Sequence, residues 1–136
     1  MEIIDFHAHA FPDAVAVRAV PLLEKEGHVT AMTDGTAAGL VASMDRAGIR
    51  RSVVASIATK PQQFAPILAW SAEIASDRLV PFPSVHPAAA DPADEVRRIA
   101  ASGFRGIKMH PYYQDFDLDE DRLLPLYRAV AEEGLV

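Results

Sequence analysis

Four times in succession this chain passes from a short apolar run to a segment of helical periodicity. The apolar runs cover residues 2–9, 52–58, 79–86 and 104–110. Helical spacing follows each of them. A first helix is expected over 13–26, ended by Gly27, with Pro21 kinking it or splitting it in two. Thr33-Asp34-Gly35-Thr36 reads as a turn and cap, after which Leu40, Val41, Met44 and Ala47 recur at helical intervals up to Gly48. Another helix is expected over 62–76. Asp91-Pro92 opens a further one, with Val96, Ile99 and Ala100 on one face and Gly103 at its end. A last helix is expected over 121–133, with Leu124, Tyr127 and Val130 on one face, Pro125 in or near its first turn and Gly134 as its stop.

Strands separated by crossover helices must pair in parallel, because each helix returns the chain to the same end of the sheet. Two architectures satisfy that pattern. A doubly wound nucleotide-binding sheet would carry a glycine-rich turn after its first strand, and here that turn is His9-Ala10-Phe11-Pro12. The expectation is therefore an α/β fold made of the first four β-α units of a (β/α)8 TIM barrel. In such barrels the working residues sit at the carboxyl ends of strands, where His7, His9, His86 and His110 fall.

Asp5-Phe6-His7-Ala8-His9 ends the first strand. Strand side chains alternate between faces, so Asp5, His7 and His9 are expected on one side and Ile4, Phe6 and Ala8 on the other. Two imidazoles two residues apart can converge on one ion without bending the backbone. Imidazole suits zinc, iron, copper and nickel, and an acidic neighbour can support a ligating ring. His7 and His9 are thus the candidate ligands of a divalent metal, zinc by preference. Lys108 alternates with Gly106 and His110 in the fourth run. A lysine within an apolar strand is costly to bury without a partner, so Lys108 is a candidate site residue, the alternative being a salt bridge across the barrel mouth. His110, before Pro111, is a candidate catalytic residue near the site. His86, before Pro87, reads as a structural cap, and His28 as a solvated loop residue. Tyr112 and Tyr113 are expected either to line a pocket or to pack against the fold.

The 136 residues suffice for one domain with a core, half of them hydrophobic. A net charge of −6 argues against nucleic acid and against anionic membrane surfaces, both of which need clustered Lys and Arg. The acidic stretch 115–121 reads as a solvated helix start. Without cysteine there are neither disulfides nor thiolate metal sites, and a cytoplasmic location is the expectation. No apolar run reaches membrane-spanning length, and Glu2 and Asp5 interrupt the first apolar stretch, unlike a signal peptide.

Four segments, DFHAHAFP (5–12), SMDRAGI (43–49), FPSVHP (82–87) and GFRGIKMHPYYQDF (103–116), recur in this order along nearly the whole chain. With them the chain resembles the amidohydrolase superfamily, in particular the amidohydrolase-related group that includes aminocarboxymuconate-semialdehyde decarboxylase-like proteins. The resemblance implies a distorted barrel holding one or two divalent metals, with His7 and His9 as the first-strand ligands. It also implies further histidines on the fifth and sixth strands and an aspartate on the eighth. In some superfamily members a lysine ending the fourth strand is carboxylated and bridges two metals, and Lys108 lies near that place. A barrel of this type needs roughly 250 residues. The chain ends at Gly134-Leu135-Val136, where a fifth strand would begin, so residues 1–136 are expected to be the N-terminal half of a metal-dependent hydrolase domain.

Three functional expectations follow. The parent protein hydrolyses a small molecule, a metal-activated water attacking a carbonyl. Alternatively it decarboxylates an aromatic or unsaturated acid without oxidation, using the same metal. Or the chain by itself is a catalytically incomplete fragment that only associates, since an open parallel sheet exposes bare edges and invites homo-oligomers.

Overall fold

A computed structural model describes residues 2–136. The elements run in the order β1 (Ile4–Ala8), α1 (Asp13–Gly27), α2 (Ala37–Ala47), β2 (Arg51–Ala55), α3 (Phe64–Ile74), β3 (Leu79–Phe82), α4 (Pro92–Ala101), α5 (Pro111–Gln114) and α6 (Leu124–Glu132). Short 3-10 turns precede α3 and α6, at Pro61–Gln63 and Asp121–Leu123. The strands form a three-stranded parallel sheet in the order β1-β2-β3. This is the opening portion of a TIM barrel, as the alternation of strand and helix predicts.

The chain divides into two compact units. One holds the residues up to Val54 together with Ile74–Val80. Its helices begin and end where local chemistry dictates. Thr36 caps α2, its hydroxyl accepting from the Gly39 amide at 2.9 Å, and Asp34 Oδ1 accepts from the Thr36 amide at 2.9 Å. Gly48 closes that helix in the left-handed conformation, φ 69°. α1 runs unbroken through Pro21. Pro21 and Val17, whose carbonyl loses its helical donor there, are both exposed, so water can satisfy that carbonyl. Ala8, Ala10, Ala16, Met44, Val53, Val54 and Leu79 are buried. Arg78 ties the lower ends of this unit together, its guanidinium donating to the carbonyls of Ile49 and Arg50 and to Asp45.

The other unit comprises Ala55–Glu73 and Pro81–Val136. Its core gathers Phe64, Val85, Val96, Ile99, Phe104, Leu126 and Ala129, with α4 and α6 packed against each other. Asp91 caps α4 by accepting from the Asp94 amide at 2.9 Å. In α6 the buried residues are Leu126 and Ala129, preceded by Leu123, while Leu124 is exposed. The most deeply buried stripe lies one residue before the Leu124, Tyr127 and Val130 face, of which Tyr127 and Val130 still pack partly against the core.

The fourth apolar run is extended but is not a full strand. Ser84 and Lys108 form a single parallel bridge. Pro81 and Pro83 have no amide to donate, and Pro83 contributes only its carbonyl, which accepts from the Lys108 amide at 2.8 Å. Gly106 lies against the Phe82 ring so closely that a Cβ would overlap it. Beyond it, Val136 exchanges backbone hydrogen bonds with Arg105 and Ile107, the alternation of a parallel pair. The edge expected to be bare is thus partly covered by the last residue of the chain.

Candidate metal centre

The two expected ligands sit at the carboxyl end of β1, within the first unit. His7 is inside the strand and His9 follows it directly. Both are exposed, and their rings meet edge to face with centroids 4.9 Å apart and planes at 63°. The pair is therefore together on one side, as the spacing requires. The route is not simple alternation, however. Asp5 pairs with Ser52 and Ala8 with Val54, so three steps along β1 match two along β2. One extra residue is accommodated as a β-bulge. Asp5 and Ala8 then occupy equivalent ladder positions, and the expected common face of Asp5, His7 and His9 is not the strand's geometry. Asp5 instead turns its carboxylate to the backbone, Oδ1 accepting from the His7 amide at 3.0 Å. The opposite expected face is also altered. Ala8 is buried, but Ile4 and Phe6 are 53% and 62% exposed.

The chemistry of this donor set can be weighed directly. Exposed imidazoles in ring contact suit a divalent transition metal. Their number does not complete a site, since metals of this kind take three or four protein ligands. Among the described residues no cluster of three or more His, Asp or Glu side chains converges to hold an ion. The pair fits part of a ligand set.

Lys108 and His110 belong to the second unit. The Lys108 backbone is held on both sides, its amide by the Pro83 carbonyl and its carbonyl by the Ser84 hydroxyl at 2.8 Å. Its side chain is half-buried. His110 is half-buried too, and precedes α5 at its N-terminus. Its ring stacks obliquely on Tyr113, centroids 4.6 Å apart. Tyr112 is 84% exposed and touches only the Tyr113 ring among the aromatics, so it neither packs in a core nor lines a closed pocket here. His86 behaves as the structural residue expected. It is buried, and its Nδ1 accepts from the Ala88 amide at 3.1 Å. Burial holds it below the usual imidazole range, helped by the positive charge of Arg122.

The residue that sequence reasoning passed over is Gln114. It lies within the motif at 103–116, yet nothing in its type announces a role. Its side chain is buried. Oε1 accepts from the His110 amide at 2.7 Å, while Nε2 donates to the carbonyls of Ala58 at 2.9 Å and Val85 at 3.0 Å. One amide thus joins the segments following β2 and β3 to the turn that carries His110. The only sequence signal was a polar residue between two tyrosines and a phenylalanine, where an apolar residue would otherwise pack.

A parallel strand-and-helix arrangement with a histidine pair at the carboxyl end of its first strand has the fold of a partial TIM barrel. The sequence profile of the amidohydrolase family matches residues 4–136, and the chain belongs to that family. Solved structures agree on the fold. The chain superposes on a 5-carboxyvanillate decarboxylase of Novosphingobium aromaticivorans, solved as a mutant with manganese and 3-methoxy-4-hydroxy-5-nitrobenzoic acid bound. The TM-score is 0.70 at 20% identity, over 98% of this chain and 49% of the other. A probable 2-pyrone-4,6-dicarboxylic acid hydrolase of Acinetobacter baumannii with citric acid bound gives TM-score 0.52 at 16% identity, over 98% and 46%. The 4-oxalomesaconate hydratase of Rhodopseudomonas palustris gives 0.56 at 17%, over 98% and 50%. The chain spans about half the length of each of these proteins. No curated protein matches the sequence.

Proposed function

We propose that this chain supplies the metal-binding first strand of a hydrolase acting on a small molecule, with His7 and His9 as two ligands of a divalent cation, zinc by preference. The observation that carries the reading is the exposed, edge-to-face imidazole pair at the carboxyl end of a parallel strand. A divalent cation there supplies Lewis acidity toward a substrate carbonyl and makes water a usable nucleophile near neutral pH. His7 and His9 must offer neutral nitrogens, so protons compete with the metal. Lys108 and His110 take proton-handling or substrate-positioning roles, each on a backbone already fixed by Pro83, Ser84 and Gln114. The net negative charge supports a small-molecule substrate over nucleic acid. No helix among the described residues is long and apolar enough to cross a membrane, and a cytoplasmic location is part of this reading.

The test is metal content. The purified protein and its His7→Ala, His9→Ala double variant are compared by elemental analysis after incubation with zinc. The double variant should lose the metal, and equal metal in both rejects the site.

A decarboxylase among the structural relatives motivates the second reading, non-oxidative loss of carbon dioxide from an aromatic or unsaturated acid. Carbon dioxide released without net consumption of water separates it from hydrolysis. The exposure of Ile3, Ile4 and Phe6 along the edge strand supports self-association of the chain as a third reading. A monodisperse monomer by light scattering counts against it.

A further inference from the structure

We infer that Asp5 is a positioning residue for the His7–His9 pair: its carboxylate holds the β1 bulge that carries His7 and so fixes the strand end from which the paired imidazoles project. The inference rests on the reading of that pair as metal ligands. It starts from the register. Between Asp5↔Ser52 and Ala8↔Val54, two residues of β1, Phe6 and His7, stand opposite Val53 alone. An extra residue of this kind disrupts the ladder and redirects the side chains that follow. A strand amide at a bulge that does not pair in the ladder turns to another acceptor, a side chain or water. The His7 amide finds the Asp5 carboxylate, Oδ1 at 3.0 Å. A charged acceptor makes this hydrogen bond stronger than a neutral one would be.

Strict alternation would set the rings of His7 and His9 on one face with Asp5 beside them, ready to ligate. The structure separates these roles. Asp5, His7 and His9 do not form a three-donor cluster, and the Asp5 carboxylate is committed to the backbone two residues on. The imidazoles meet at 4.9 Å on a strand end whose local register the bulge has shifted. Asp5 therefore acts through His7 rather than on the metal itself.

This assignment separates two substitutions that a direct ligand would not. The asparagine amide oxygen accepts from the His7 amide as the carboxylate does, whereas alanine offers no acceptor. Zinc affinity is measured by calorimetric titration with zinc alone, for the parent, Asp5→Asn, Asp5→Ala and the His7→Ala, His9→Ala double variant. Hydrogen exchange at the His7 amide is measured without metal. Asp5→Asn should bind within about twofold of the parent, and Asp5→Ala about tenfold more weakly, the scale of a lost supporting contact. Exchange at His7 should speed about tenfold in Asp5→Ala, and little in Asp5→Asn. Equal, severe loss in both Asp5 variants makes the carboxylate a ligand and overturns the inference. So does Asp5→Ala with unchanged affinity and unchanged exchange. If the double variant binds zinc as well as the parent, or neither binds, the ligand reading fails instead. The exchange rates then decide: an unaltered His7 amide in Asp5→Ala overturns the bulge's dependence on Asp5 as well.

Discussion

The carboxyl end of β1 and the turn around His110 present histidines in opposite ways. At β1 the imidazoles are exposed, and Asp5, two residues before His7, accepts from the His7 amide in a hydrogen bond at the surface. At His110 the backbone is held by Gln114, a buried side chain that also reaches Ala58 and Val85, residues 56 and 29 positions distant. The first arrangement keeps both rings at the surface, where they weigh little on folding. The second makes the position of one amide part of the hydrophobic core. Exposed local hydrogen bonds contribute little to stability, whereas a buried polar group stranded without partners costs its full desolvation. A histidine can thus be cheap to alter at one place and tied into the fold at another.

That contrast breaks first if Gln114 proves dispensable. Gln114→Ala removes the partner of one amide and two carbonyls, and should lower unfolding stability by about 3 kcal/mol, read from the denaturant midpoint. Gln114→Glu should lose much of the same, since a carboxylate cannot donate to the two carbonyls. A loss below about 0.5 kcal/mol would erase the difference between the regions. Next in size is Gly106→Ala, whose Cβ meets the Phe82 ring. It should cost about 2 kcal/mol by overpacking, and Phe82→Leu in the same chain should restore part of it.

Glu95 sharpens the same contrast through pH. Burial is the first cause raising its carboxyl from 4.5 to about 7, with Asp94 and Asp91 adding and Arg98 opposing. Its Oε2 is buried without a hydrogen-bond partner. The folded state therefore retains a proton that the unfolded chain releases. Stability falls as pH rises from 4.5 to about 7 and stays lower above that. Because Glu95 is only half-buried, the effect is about 1 kcal/mol after solvent screening. Glu95→Gln should flatten this dependence and be the more stable chain at pH 8, as measured by thermal unfolding across the range. The smallest effect belongs to the histidines. Without metal, His7→Ala and His9→Ala should each shift stability by less than about 0.5 kcal/mol, read from the same midpoint, because neither side chain is buried.

Much of this architecture was legible locally. α2 and α4 begin at Thr36 and Asp91 and α2 ends at Gly48 because caps and left-handed glycines act within one turn of chain. The His7–His9 pair was legible because a two-residue spacing on extended chain brings rings together. Their shared side with Asp5 was not, since the bulge arises from pairing with β2. The weakness of the fourth run was half legible: Gly106 and the prolines of the neighbouring third run, Pro81 and Pro83, stand in the sequence, but the Phe82 ring that Gly106 accommodates does not stand beside it there. Which α6 stripe is buried deepest was not legible, because apolar residues occupy two adjacent stripes and only the packing against α4 selects Leu126 and Ala129.

The alternation of the first three strands with helices, the capped ends of α2, the start of α4, the family and the imidazole pair were legible in the amino-acid sequence alone, because periodicity, capping and motif spacing act over a few residues. The register of β1 on β2, the exposure of Ile4 and Phe6, and the gathering of His110, Ala58 and Val85 around Gln114 were decided only in three dimensions. Each depends on which distant backbone groups remain unpaired once the strands are laid side by side, and no local pattern carries that account.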